Sequence, residues 1–114
     1  MINQNKFYRL IYNNDIENIK FFLKDKNFDP SLFNNISIIK ASELGHLEIV
    51  KLFLNDKRIN PSDKLNSAIT FAFKNKHFNI VNLLWQDQRI KNSLEKDNKE
   101  LYNNLIFQDN IENF

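Results

Sequence analysis

The 114-residue chain has no cysteine, one glycine and two prolines, and each shortage removes a class of chemistry. Without cysteine there are no disulfides and no thiolate metal sites, a usage that fits a reducing compartment. A single glycine cannot build a phosphate-cradling loop, and no serine or threonine stands in a nucleophile motif. An excess of one charge is missing too. The 16 basic and 14 acidic residues leave a formal +2, scattered along the chain and not gathered into a basic patch. No run approaches the ~20 apolar residues of a membrane helix, and the opening MINQNKFYRLIYNND has no apolar stretch of signal-peptide length. The expectation is an intracellular, cytoplasmic protein without membrane contact.

What the chain does have is a core, 42% of its residues being apolar, and room for one domain. It also repeats. Ala41 to Pro61 (ASELGHLEIVKLFLNDKRINP) lies over Ala72 to Asn92 (AFKNKHFNIVNLLWQDQRIKN) and over Leu10 to Pro30 (LIYNNDIENIKFFLKDKNFDP) at a spacing of 31 residues without a gap. Each copy reads as two apolar helical stretches around a short polar turn. In the central copy Ile36 to Ser42 form the first helix, Leu44-Gly45-His46 the turn and Leu47 to Leu54 the second. The second helices are apolar around more than one stripe and are expected to be buried on two sides, by the copies before and after.

The expected boundaries are residues 4–34, 35–65 and 66–98, with a partial copy over 99–114. Pro30 and Pro61 mark the connectors Asp25 to Asn34 and Asp56 to Leu65, and Lys91 to Glu100 reads as a longer polar connector. Asn35 and Asn66 precede first helices as N-cap candidates. Gly45 sits where a left-handed residue ends a helix, with Asn14, Lys76 and Asp109 in its place elsewhere. Ala41 and Ala72 are small where helices approach closely. The last copy ends before a second helix can form, which is expected to leave apolar surface around Trp85, Ile106, Ile111 and Phe114 less covered.

The segment ASELGHLEIVKLFL closely resembles the central part of the ankyrin repeat, and the likeness extends from about Phe7 to Phe114. It departs from the usual pattern at the first-helix opening, Ile36-Ser37-Ile38-Ile39, and at the shortened connector Asp56 to Pro61. With 20 asparagines the chain is similar to the ankyrin proteins of giant DNA viruses of amoebae and of social amoebae, for which host cytoplasm would be the location. The resemblance implies an all-α, ankyrin-like solenoid of stacked helix-turn-helix repeats with short connectors. It implies a module that binds a protein partner through a concave face, with no catalysis, cofactor or small-molecule substrate. Carried over residue by residue, that face comprises Leu32, Phe33, Asn35, Asp63, Lys64 and Asn66 on the connectors. On the helices it comprises Tyr12, Asn13, Glu43, Leu44, Lys74, Asn75, Phe107 and Gln108.

Other chemistries fit the pattern less well. His46 and His77 recur with the repeat, but copies stacked about 8–10 Å apart cannot bring two nitrogens onto one zinc, so a structural place at the second helices is expected. Glu17, Glu48 and Glu112 recur as a solvated face does. Lys20, Lys24, Lys26, Lys51, Lys57 and Arg58 could form a stripe for weak nucleic-acid association, yet Asp25, Asp56 and Asp87 beside them cancel most of its field. Phe21, Phe22, Phe53 and Trp85 read as core. Phe33, on a connector, reads equally as a binding anchor or as packing. The remaining alternative is a piece of a longer array, or a degenerate structural protein, without a partner of its own.

Overall fold

The computed structural model describes residues 4–112, and over them the chain forms eight helices and no strand. They are α1 (Gln4–Tyr12), α2 (Ile16–Leu23), α3 (Leu32–Leu44), α4 (Leu47–Leu54), α5 (Asp63–Lys74), α6 (Phe78–Trp85), α7 (Gln88–Asp97) and α8 (Lys99–Glu112). First helices stack α1 on α3 on α5, and second helices α2 on α4 on α6. The result is an elongated body of 50 × 22 × 21 Å. The expected solenoid is what the chain builds.

The turn between the helices of each copy repeats in atomic detail. Asn14, Gly45 and Lys76 have φ of 55, 82 and 63°, and the N–H of the next residue donates to Leu10 O, Ala41 O and Ala72 O at 2.9, 3.0 and 2.9 Å. This is the left-handed helix stop expected from the glycine. Ala41 and Ala72 are fully buried, as close helix approach requires. In the first copy Phe7 occupies the place of Ile38 and Ile69, and its ring packs against Phe22, Phe28 and Phe53 with centroids 5.7, 4.6 and 5.9 Å away. Phe22, Phe53 and Trp85 are core, as expected. Phe21 is not: it is 71% exposed. The same position carries Leu52 and Leu83, which are only half-buried, so a larger ring there overhangs the surface.

The connectors differ from expectation. Phe33, Asn34 and Asn35, and again Lys64, Leu65 and Asn66, have φ between 54 and 61°, making a complete left-handed turn before each inner first helix. Asn35 and Asn66 lie inside these turns and do not act as N-caps. Such backbone costs roughly 1–2 kcal/mol per residue outside glycine and, less severely, asparagine, so its surroundings must enforce it. Asp29 and Asn60 accept from the N–H of Ser31 and Ser62 at 2.9 and 3.0 Å. Asn35 and Asn66 close the turns by donating their N–H to Ser31 O and Ser62 O at 2.9 and 3.0 Å, and Pro30 and Pro61 beside them are buried.

The C-terminal part departs further. Lys91 to Glu100, expected as a connector, lies largely in α7: Asp87 caps it by accepting from Arg89 N at 2.9 Å, and Ile90 and Leu94, one turn apart, are fully buried. Two buried residues at i, i+4 outweigh the polar composition. Nor does Asp109 make the expected turn. α8 runs straight through it, and its carboxylate accepts from Trp85 Nε1 at 2.9 Å. Trp85 is thereby buried, Ile106 half-buried and Ile111 exposed; Phe114 lies outside the described residues.

Candidate partner-binding surface

Two polar devices hold the copies in register, and they decide which side chains remain free for anything else. In the first, the carboxamide of Asn35 donates to Asp63 Oδ2 at 2.9 Å and accepts from Asn60 N at 2.8 Å, tying the start of the second copy to the connector that ends it. Asn66 repeats the donor half, to Ser93 Oγ and Asp97 Oδ2 at 2.8 and 2.7 Å. Both asparagines are buried. A partner cannot reach them, which corrects their assignment to the binding face.

The second device is the Asp-x-Arg of the connectors. Arg58 holds Asp56 through Nε and Nη2 at 2.9 and 2.6 Å and donates to the carbonyls of Leu23, Asp25 and Phe28 in the previous copy at 2.8, 3.1 and 2.7 Å. Arg89 holds Asp87 at 3.0 and 2.8 Å and reaches only Ile59 O, at 3.0 Å. Hydrogen bonds from the arginines hold the carboxyls of Asp56 and Asp87 below the usual range against the opposing effect of burial. Position 27, equivalent to Arg58 and Arg89, is Asn27. These guanidinium groups are occupied within the stack, and Lys20 and Lys51 pair with Glu17 and Glu48 at 3.4 and 3.3 Å. Of the six recurring basic residues Lys20, Lys51 and Arg58 are thus paired, which leaves Lys24, Lys26 and Lys57 outside any ion pair among the described residues.

The remaining expected face residues divide by what they touch. Tyr12, Asn13, Lys74, Phe107 and Gln108 are exposed on or at the ends of helices, and Leu32, Phe33 and Lys64 on connectors. Glu43 and Leu44 are half-buried; Glu43 pairs with Lys40 at 3.1 Å, and its carbonyl accepts from His77 Nε2 at 3.0 Å, which puts the ring proton on that nitrogen. His77 thus ties one copy to the previous one, and its ring lies where a Cβ on Gly45 would come within 2.7 Å. Asn75 donates to Phe71 O at 3.0 Å, and Asp63 is engaged with Asn35 and with Lys64 N. Among the described residues no three His, Asp or Glu side chains group to hold a metal ion, and no helix is long and apolar enough to cross a membrane.

Sequence reasoning missed a groove. Phe73 and Phe78 meet edge to face, centroids 6.0 Å apart, and with Val81, Leu105 and Phe107 they line a groove of about 420 Å³ between the α5–α6 corner and α8. Asn82, Asn104 and Gln108 edge it. The signal was faint: Phe78 stands at the position of Ile16 and Leu47, which reads as core, and the expected uncovered surface was placed around Trp85, Ile106, Ile111 and Phe114 instead.

Comparison with known families gives one match: the profile described as ankyrin repeats (3 copies) aligns with residues 7–96. No curated protein and no solved structure matches the chain.

Proposed function

Since the chain belongs to the ankyrin-repeat family, whose repeats generally mediate protein–protein interaction and are typically not enzymatic, we propose that it binds a protein through the first-helix ends and connector tips of successive copies. The observation that carries this reading is a contrast between backbone and side chains. The left-handed turns at 33–35 and 64–66 have nearly identical φ and ψ, yet present Phe33-Asn34 in one copy and Lys64-Leu65 in the next. Tyr12, Glu43 and Lys74 likewise differ at equivalent helix ends. A rigid frame with variable tips is what recognition of a particular partner needs, because ordering costs are met during folding and not on binding.

Aromatic anchors usually dominate such interfaces, at ≥2 kcal/mol each on truncation, and Tyr12 and Phe33 are 54% and 68% exposed. The test is capture from lysate of the source or its host by the wild-type chain and by a Tyr12→Ala, Phe33→Ala double variant of unchanged circular dichroism. Loss of the captured protein supports the face. Retained capture, lost instead on changing Lys51, Lys57 and Arg58 to alanine, would move binding to the charged side.

A further inference from the structure

Corresponding positions on the first helices form two rows across the stack. Arg9, Lys40 and Phe71 make one, and Tyr12, Glu43 and Lys74, one turn further along the same face, make the other. The helices that carry them pack α1 on α3 on α5. Tyr12 is 54% exposed, and Arg9 and Lys74 are exposed as well. Among the charged members only Lys40 and Glu43 are paired, at 3.1 Å. Hydrogen bonding to Glu43 holds the Lys40 ammonium above its usual value against burial, and the Tyr12 hydroxyl of the previous copy adds to this. Arg9 and Lys74 make no ion pair among the described residues, and the Lys74 ammonium lies 5.9 Å from the centre of the Phe71 ring. The second helices are different. In α2 and α4 each lysine has its glutamate, Lys20 with Glu17 and Lys51 with Glu48, and on the first connector Lys24 and Lys26 flank Asp25.

We propose that this face takes an extended acidic segment of the protein partner, with a carboxylate at each end. The proposal rests on the protein-binding reading and adds the partner's chemistry to it. Charge complementarity carries it. Two unmatched cations, Arg9 and Lys74, stand at opposite corners of the face, and its one carboxylate, Glu43, is already taken by Lys40 between them. An acidic residue fits beside Arg9 and another beside Lys74, whereas one in the middle would meet Glu43. Stacked helices lie about 8–10 Å apart, so α1 and α5 are separated by roughly twice that. An extended chain rising ~3.3 Å per residue covers this span in about five or six residues. Tyr12 and Phe71 stand one turn from the two cations and give an apolar side chain next to each carboxylate a ring to pack on. Exposed ion pairs contribute little each, so the charges set orientation and partner choice while the rings supply contact area.

The probe is the acetylated, amidated peptide Asp-Phe-Ser-Gln-Ser-Phe-Asp, titrated into the ¹⁵N-labelled full chain at low and at high salt. One control moves both aspartates to the same end, keeping composition and charge, and another replaces them by lysine. The backbone amide signals of Arg9, Tyr12, Lys40 and Lys74 should shift and saturate with the probe, and the affinity should fall with salt. An Arg9→Glu, Lys74→Glu variant of unchanged circular dichroism, altered only at exposed positions, should bind about tenfold or more weakly. Static signals, equal binding of either control, unaltered affinity in the charge-reversed variant, or shifts centred on Lys24, Lys26 and Lys57 would overturn the proposal. So would tighter binding of a single-stranded thymidine oligonucleotide on the same signals, which would make nucleic acid the occupant. Static signals alongside lysate capture that the Tyr12→Ala, Phe33→Ala variant loses would sink the acidic partner and leave the protein-binding reading standing.

Discussion

The segment that ends the second copy and the segment that ends the third are held by corresponding residues and are not equally well made. Asn35 uses both ends of its carboxamide. At Asn66 the Oδ1 is buried and has no partner, because the counterpart of Asn60 N is Lys91 N, which donates instead to Asp87 O inside α7 at 3.1 Å. Arg58 reaches three carbonyls and Arg89 one. Forming α7 where the other copies have a connector buries Ile90 and Leu94, at the expense of the hydrogen bonds that an extended connector supplies. A repeated letter is therefore not a repeated energy.

Truncating the two asparagines should break this comparison most visibly. Asn35→Ala removes two bonds to the following connector, takes from Asp63 its carboxamide donor and places alanine at φ 61°; it should cost roughly 3 kcal/mol. Asn66→Ala loses donors only and removes an atom already unsatisfied, so about 2 kcal/mol is expected. Urea unfolding followed by circular dichroism measures both, and equal losses would erase the distinction between the two segments.

The arginine clamps come next. Arg58→Ala should cost about 1–2 kcal/mol and Arg89→Ala about half as much, both discounted for partial exposure. Trp85 is the chain's one tryptophan and bonds to Asp109 of α8, so its fluorescence reports the C-terminal part of the stack. In Arg89→Ala its transition should separate toward lower urea from that seen by circular dichroism, whereas in Arg58→Ala the two should stay together.

A smaller gain is expected at the turns. Lys76 holds φ 63° where Gly45 holds 82°, so Lys76→Gly should stabilise by about 1 kcal/mol. Gly45→Ala should do the opposite through both φ and the His77 ring, and a stabilised Gly45→Ala would reverse that reading.

The smallest effect concerns acid. Asp56 and Asp87 have lowered folded values through their arginines; their contribution is present above the ordinary aspartate range and is lost as pH falls through the lowered values. Stability should decline below about pH 4, and the decline should shrink in an Arg58→Ala, Arg89→Ala double variant.

Much of the fold was legible because period, apolar pattern and turn chemistry agree: the gapless 31-residue spacing, Gly45 at the helix stop, and the small Ala41 and Ala72 all point to one packing. What was not legible depends on neighbours distant in sequence. The left-handed turns carry Phe33, Lys64 and Leu65, which have no local preference for that backbone; it goes with the buried carboxamides of Asn35, bonded 25 and 28 positions away, and of Asn66, bonded 27 and 31 positions away. α7 looked like a linker because eight of its ten residues are polar or charged and its two anchors, Ile90 and Leu94, matter only against α5 and α6. The site was read less well for the same reason. Phe78 is exposed where α8 runs straight past the place at which the other copies turn back, and Asn35 and Asn66 are buried by partners some 25 to 31 residues further on.

The contact between Gly45 and His77 bears on how such an array can evolve. Tandem copies are commonly lost or gained by recombination one period at a time, and a gapless period makes that easy for the gene. For the protein it is not neutral. Excising residues 35–65 would set Asn14, which carries a Cβ, in the place of Gly45, where the His77 ring as it lies leaves a Cβ only 2.7 Å, so the ring that ties one copy to the previous one would have to move. The copies are related by descent but keyed by position, so the order of this stack is itself a constraint on which descendants can fold.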